Sequence, residues 1–280
     1  MNFDLKTMAA FGVAGNFTGH LEQAGEAADF VNVEAESSNA PKAVFPTYIP
    51  KENRDCPDFL NVFPFDSQKI IYPAGQKKLQ IEPECALIFK AVWDENKVVR
   101  LIPKAFGASN DCSIRREGAK KISLKKNWGA SSKGFSDNSI HINSFNNESI
   151  INDYRIASFL VRDDIIYPYG EDSAVRDYSY IYDRLISWVI DKLNNQKDEG
   201  PAENINLYLN GAERPEMILV SIGATRYTDF GETNFLKKGD RSVVIHYPES
   251  KYSFSDIKQI VSQRSYNKDD ISVLDQMVEE

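Results

Sequence analysis

Residues 79–102 read LQIEPECALIFKAVWDENKVVRLI, and the fold follows from how this stretch is divided. β-branched and aromatic residues fill two runs on either side of the polar Asp94-Glu95-Asn96-Lys97, a composition that suits pleated, half-buried strands joined by a tight reversal. The pattern predicts a β-hairpin or meander, preceded by a short strand in IIYPAG at 70–75. Working outward, further strands are expected over 156–166, 206–209, 217–222 and 242–247. Helices are fewer. One is expected at 18–28 and one at 177–193, where Tyr180, Arg184, Trp188 and Val189 follow the helical repeat, with a third at 254–263 after Ser253. These elements predict a mostly β, α+β protein: a single domain over 1–250 and a C-terminal helical extension over 251–280.

Composition narrows the class. Of the 280 residues 42% are hydrophobic and 26% charged, enough apolar surface for a packed core, so disorder is excluded as the general state. Two loop-like stretches, 37–58 and 194–204, are too short to separate domains. The net charge of -8 repels a phosphate backbone, which argues against a nucleic-acid partner. No apolar run approaches the ~18 residues of a membrane helix, and the N-terminal MNFDLKTMAAFGVAGNF has an early acid and no long apolar core. A cytoplasmic protein without a membrane partner is the expectation. Cys56, Cys85 and Cys112 are odd in number and far apart, which suits buried reduced thiols better than disulfides or a thiolate metal site.

Within the decisive stretch, Glu82 and Glu84 are two apart and so project from one face of a strand, with Pro83 turned away. Pro83 cannot donate to a ladder, which predicts an edge or bulge where a site opens to solvent. The spacing alone also fits a solvated face, since Glu34 and Glu36 repeat it. Context separates the two: Glu84 runs into the apolar Cys-Ala-Leu-Ile-Phe, and two carboxylates at the mouth of a buried strand repel each other unless a cation neutralises them. Asp111, in the turn-rich segment after the hairpin, is the candidate third ligand. An all-oxygen set without His or Cys suits Mg²⁺ or Mn²⁺, or Ca²⁺, rather than zinc.

The order of motifs resembles the fumarylacetoacetate hydrolase superfamily. GVAGNFTGHLEQAG at 12–25 is similar to its Gly-Asn-aromatic-x-x-His segment, EPECALIF at 82–89 to its Glu-x-Glu strand, and ASNDCSIRR at 108–116 to its Asn-Asp-x-Ser-x-Arg loop. Lys133 in SSKGF matches its lysine before an aromatic, while PEMILVSIGAT at 215–225 and FLKKGD at 235–240 resemble its late strand, Gly-Thr-Pro turn and Lys-Pro-Gly-Asp segment. The resemblance implies a rolled mixed β-sheet, a homodimer, and Mg²⁺ or Mn²⁺ on Glu82, Glu84 and Asp111. It also implies hydrolysis, decarboxylation or isomerisation of a small 1,3-dicarbonyl or 2-oxo acid through a metal-stabilised enolate.

The same resemblance makes His20 a base, Lys133 a support for negative charge and Arg115 a clamp for a substrate carboxylate, with Gly223, Ala224 and Thr225 forming a substrate-binding turn. Three places depart from the pattern, one being the Phe-x-Lys-Pro segment, present only as the altered AVFPTYIP at 43–50. Gln23 stands where a Glu assists the His, and Ala224 replaces the threonine of the turn, so a catalytically reduced protein that binds a metal and a carboxylate metabolite is the alternative expectation. Glu22 is a poor substitute for the missing acid, because two residues on a helix diverge by about 200°.

Overall fold

The polar reversal joins two long antiparallel strands, Pro83–Asp94 and Lys97–Asn110, and their pairing is interrupted twice. Near the turn Asp94 pairs with Lys97. Shifts between Val92 and Trp93 and between Ile88 and Phe89 leave Val99 and Lys104 of the second strand without partners. Each bulge puts one extra residue on one strand and moves the register by one. An unbroken ladder would set Glu82 opposite Ser109; the two bulges instead pair Glu84 with Ser109 and Pro83 with Asn110. Asp111 thereby falls opposite Glu82, and its N–H donates to the Glu82 carbonyl at 3.1 Å.

The protein is described here from a computed structural model, which covers residues 3–26, 30, 37, 39–51, 55–116 and 118–280. Glu34, Glu36 and the end of the expected first helix lie outside the described residues. In chain order the elements are β1 (Ala9–Ala14), α1 (His20–Gln23), β2 (Ala43–Tyr48), β3 (Lys69–Ile71), β4 (Leu79–Gln80), the hairpin strands β5 and β6, β7 (Ser113–Ile114), β8 (Gly134–Phe135) and β9 (Ile140–His141). There follow β10 (Tyr154–Arg162), β11 (Ile165–Ala174), α2 (Tyr182–Asn195), α3 (Ile205–Gly211), β12 (Met217–Ala224), α4 (Asp229–Thr233), β13 (Arg241–Pro248), α5 (Phe254–Gln263) and β14 (Ser272–Glu279).

A curled mixed sheet runs β2-β1-β12-β5-β6-β8, with β9 also on β6; β1 and β12 are parallel and the other pairs antiparallel. The second sheet runs β11-β10-β13-β14-β3. Polar ties join the two: Ala108 N–H donates to Ser272 Oγ at 2.9 Å, Asn110 Nδ2 donates to Ser242 Oγ and Gln276 Oε1, each at 3.1 Å, and His246 Nε2 donates to the Glu84 carbonyl at 3.2 Å. The mostly β expectation holds, and the His246 tie pins the end of β5 that carries Glu84.

Four local expectations are corrected. The strand expected at 156–166 is a hairpin, β10 to β11, reversing at Asp163 and Asp164, both at positive φ as a tight primed turn requires. The strand expected at 206–209 lies inside α3, where Asn204 caps the helix by accepting from Leu207 N–H and Ile205, Tyr208 and Leu209 are buried at helical spacing. α2 begins at Tyr182 rather than 177, because Asn16 holds the amides of Ser179 and Tyr180 in a bend at 2.9 and 2.8 Å. The tail is helical only over α5, which a Ser253–Asp256 capping box starts and a left-handed Arg264 ends.

After α5, β14 alternates buried and half-buried positions and pairs with β13 on one side and β3 on the other. Two of its inward residues, Ser272 and Gln276, are polar because they bind the facing sheet, so the segment carries a weak hydrophobic alternation. The tail is thus α5 followed by β14, a strand of the second sheet, rather than helical throughout. Deleting residues 271–280 is expected to abolish cooperative folding, since it opens the sheet between β13 and β3 and exposes Leu274 and Val278, each worth about 1.5–3 kcal/mol buried. Near-native thermal melting of the truncated chain would contradict this placement.

Candidate metal centre

Three chain reversals meet at one end of the first sheet: the start of β5, the residues after β6, and the turn after β12. Glu84 pairs in register with Ala224, across an irregularity that follows Ser221. Within it Gly223 adopts φ +115°, a conformation that side chains resist, and aims its N–H at Glu84 Oε2 at 2.9 Å. Thr225 N–H donates to the Pro83 carbonyl at 3.2 Å, and the Thr225 carbonyl accepts from His20 Nδ1 at 2.9 Å. Asn16, fully buried, donates to the carbonyls of Tyr180 and Ile222 and so fixes the loop that delivers His20. One carboxylate oxygen each from Glu82, Glu84 and Asp111 lies within 4.8 Å of the others.

All three acids are buried, with 3%, 1% and 2% exposure. That corrects the expectation of an open mouth: Pro83 begins a central strand, and the residues around the acids enclose a cavity of about 20 Å³, room for roughly one water-sized guest. His20, Leu21, Glu26, Phe45, Ile122 and Lys126 help close it.

Cations answer the acids. Lys126 Nζ lies 2.6 Å from Glu82 Oε2 and 2.8 Å from Asp111 Oδ2, Lys133 Nζ 3.0 Å from Asp111 Oδ1, and Arg115 Nη2 2.7 Å from Glu82 Oε1. Burial pushes the Glu82 carboxyl up, but Lys126 and Arg115 outweigh it and hold it well below the usual carboxylate range. Glu84 lacks such a partner; burial and the nearby Asp111 and Glu82 push it well above its ordinary value. Burial likewise lowers His20. With Nδ1 donating to a carbonyl, the neutral ring keeps its lone pair on Nε2.

A divalent ion fits this donor set. Among the described residues Glu82 Oε1 and both Asp111 oxygens, all buried, make no hydrogen bond of good geometry and meet only cationic side chains, so lone pairs remain. Glu84, the acid whose ionisation is most disfavoured, gains most from a cation.

The other expected residues have assumed different duties. Lys133 is buried and also donates to the Cys112 carbonyl, with its ammonium 5.3 Å from the centre of the Trp128 ring; burial lowers its pKa. Arg115 is not free to clamp a substrate: Nε donates to Gln80 at 2.6 Å, Nη1 to Glu26 at 2.8 Å and Nη2 to Tyr227 Oη at 2.8 Å, in addition to its pairing with Glu82. Gln23 does not orient His20. Its amide donates to the Tyr227 carbonyl at 3.1 Å and accepts from Tyr227 N–H at 2.8 Å, closing α1 onto the chain after the Gly223 turn. Cys85 and Cys112 are buried thiols pushed up by burial.

Sequence reasoning missed Lys126, Glu26 and Tyr227. Lys126 stands in GAKKISLKKNW, whose lysines suggest a solvated stretch; the only local hint is the Ile122, Leu124 and Trp128 interleaved among them. Glu26 pairs with Arg115 and with Lys125 at 3.4 Å, and Tyr227 Oη donates to the Ile81 carbonyl.

Two outcomes follow from these contacts. Gln23→Glu replaces the amide donor by an acceptor facing the Tyr227 carbonyl, so it should cost about 1–3 kcal/mol in a denaturant titration; an unchanged midpoint would remove this role. Glu203, buried beneath Ser123, has its pKa raised to about 7 by burial, against an ordinary 4.5. The folded state then holds its proton longer than the unfolded one, so the stability this group contributes is greatest below about 4.5, falls as pH rises and levels off above about 7, a loss of roughly 3 kcal/mol. Glu203→Gln should flatten that slope in thermal melts across the window.

No curated protein matches the sequence. Among solved structures, 2-keto-3-deoxy-D-arabinonate dehydratase complexed with magnesium and 2,5-dioxopentanoate aligns over 97% of this chain and 72% of its own, at 14% identity and TM-score 0.52. 5-carboxymethyl-2-hydroxymuconate delta-isomerase from Mycobacterium smegmatis aligns over 97% and 78%, at 12% identity and TM-score 0.51. A Yersinia pestis CO92 protein assigned to the fumarylacetoacetate hydrolase family aligns over 96% and 92%, at 12% identity and TM-score 0.50. At such identities the likeness is one of fold, and the fold is that of fumarylacetoacetate hydrolase. Residues 26–278 match the family of unknown function DUF5718, and the chain belongs to that family.

Proposed function

We propose that the protein is a divalent-metal-dependent enzyme that hydrolyses, decarboxylates or isomerises a small 1,3-dicarbonyl or 2-oxo acid. The observation that carries the reading is the meeting of Glu82, Glu84 and Asp111, with Glu82, Glu84 and a neutral His20 lining one cavity. The magnesium and 2,5-dioxopentanoate bound by a protein of the same fold support it. Mg²⁺ or Mn²⁺ suits three carboxylates; when bound, the ion would act as a Lewis acid toward adjacent substrate oxygens.

The chain's own groups supply the remainder. His20 Nε2 accepts a proton from a water or from a substrate carbon, while the Thr225 carbonyl holds the ring orientation. Lys133, fixed by Asp111 and the Cys112 carbonyl, keeps positive charge beside the site of developing negative charge. Gly223 holds Glu84 in place, and Ala224 lines the cavity without a hydroxyl. An oxo acid is larger than a cavity of about 20 Å³, so entry requires the cover around Leu21, Glu26 and Ile122 to part. A cytoplasmic homodimer is the working form expected on resemblance.

A second reading has a specific observation behind it. The saturation of Gln23 by the Tyr227 backbone and of Arg115 by Glu26, Tyr227 and Glu82 leaves fewer groups for substrate than an active site of this type would use, which favours a reduced protein that binds a metal and a carboxylate metabolite. Incubation with Mg²⁺ or Mn²⁺ and a panel of acylpyruvates and oxaloacetate, followed by enol absorbance, separates the two. Turnover that Glu84→Gln lowers at least about 100-fold is the expected result. Saturable binding without product would select the second reading, and turnover indifferent to Glu84→Gln would remove the metal-centred chemistry.

A further inference from the structure

Cationic side chains already crowd the three acids before any divalent ion is added. Glu26, Glu82 and Asp111 pair with Arg115, Lys125, Lys126 and Lys133, while Glu84 pairs with none of them. Of the four cations Lys126 is the one that bridges two of the three metal-ligand candidates, at 2.6 Å from Glu82 Oε2 and 2.8 Å from Asp111 Oδ2. Lys133 reaches one of them, Asp111, and Arg115 reaches one, Glu82. The Lys126 ammonium is also 5.1 Å from the centre of the Phe45 ring, and the residue is 2% exposed.

Its backbone is held on both sides. The turn before it, Ile122–Lys125, is tied by Ile122 N–H to the Pro201 carbonyl at 3.2 Å and by Ser123 Oγ to Glu203 at 2.6 Å. After it, Asn127 Nδ2 donates to the carbonyls of Thr47 and Val62, and Trp128 Nε1 to the Ile71 carbonyl. The ammonium therefore sits on a flexible four-carbon stem whose root is fixed at the wall of the cavity.

We propose that Lys126 is an internal competitor for the divalent ion, setting its affinity by occupying Glu82 and Asp111 until the ion displaces it. The inference rests on the metal-centred reading above. A lysine ammonium and a doubly charged ion crowd each other on the same two carboxylates of a cavity this small, because the repulsion between them at near-contact distance is poorly screened there. Binding of the ion thus requires the stem to swing its ammonium away from the acids, and the work of that displacement is subtracted from the ion's affinity. Lys133 lacks this effect to the same degree, since it leaves Glu82 and Glu84 untouched.

Free Mn²⁺, read by electron paramagnetic resonance during titration of the full chain, tests the proposal without reference to activity. Lys126→Gln, neutral and of similar length, should bind Mn²⁺ at least about tenfold more tightly than the natural protein; Lys126→Met is the second neutral variant, and circular dichroism checks the fold of both. Lys126→Arg keeps the charge and should stay within about threefold of the natural protein. Lys133→Gln should gain less than Lys126→Gln.

Binding by the neutral Lys126 variants alone also supports the proposal. Equal or weaker Mn²⁺ binding by them, with the natural protein still binding, overturns the role of Lys126 and leaves the metal-centred reading standing. Absence of Mn²⁺ binding in every folded variant overturns both. Should neither neutral variant fold, the natural protein and Lys126→Arg decide: affinity tighter than about 0.1 mM in both overturns an internal competitor, and measurable but weaker affinity supports it.

Discussion

Like charges gathered out of water set the terms on which the rest of this molecule is built. Two carboxylates about 4 Å apart repel by about 4 kcal/mol even at an effective dielectric near 20, and here three lie within 4.8 Å of one another, each almost wholly buried. The response is a shell of opposite charge drawn from distant parts of the chain: Arg115 from beyond β7, Lys126 from the turn after Ile122–Lys125, and Lys133 from the entry to β8. Glu26 then balances the excess of cations beside Arg115 and Lys125. Removal of any one member leaves a buried charge uncompensated, a far larger disturbance than the loss of a surface pair.

The scaffold serves that cluster by fixing backbone rather than by offering side chains alone. Asn16 holds the approach to α1 against the strands, the Gly223 amide holds Glu84, and Gln23 locks α1 to Tyr227. His246 and Asn110 bind the second sheet to the hairpin at the level of the acids. The polar inward residues of β13 and β14 are therefore part of the support for the site, and they explain why a sheet that carries none of the three acids is closely tied to their geometry.

The hairpin and the acid triad were legible in the sequence because both are written locally: strand-forming runs around a polar reversal, and acids spaced two apart at the start of an apolar run. What a side chain does after the chain folds back was not legible. Lys126 lies among lysines that read as solvated, and its burial is created by Glu82 and Asp111 arriving from another strand. Arg115 and Gln23 were located near the cluster from the sequence, yet their partners, Glu26 and the Tyr227 backbone, come from elsewhere in the chain and carry no local signal. β14 was hidden for a related reason: half its inward positions are polar, which erases the alternation that marks a strand.

The two extra residues on β6 tie the geometry of the acids to the length of a strand that carries none of them. Because each extra residue advances the pairing by one step, a net loss of a single residue between the reversal and Asn110 would turn Asp111 to the opposite side of the ladder, while growth of the reversal itself leaves the pairing beyond it intact. Insertions and deletions are thus filtered very differently a few residues apart: the DENK loop is open to drift in length, whereas the strand that follows is held to an exact count by an electrostatic cluster at its far end.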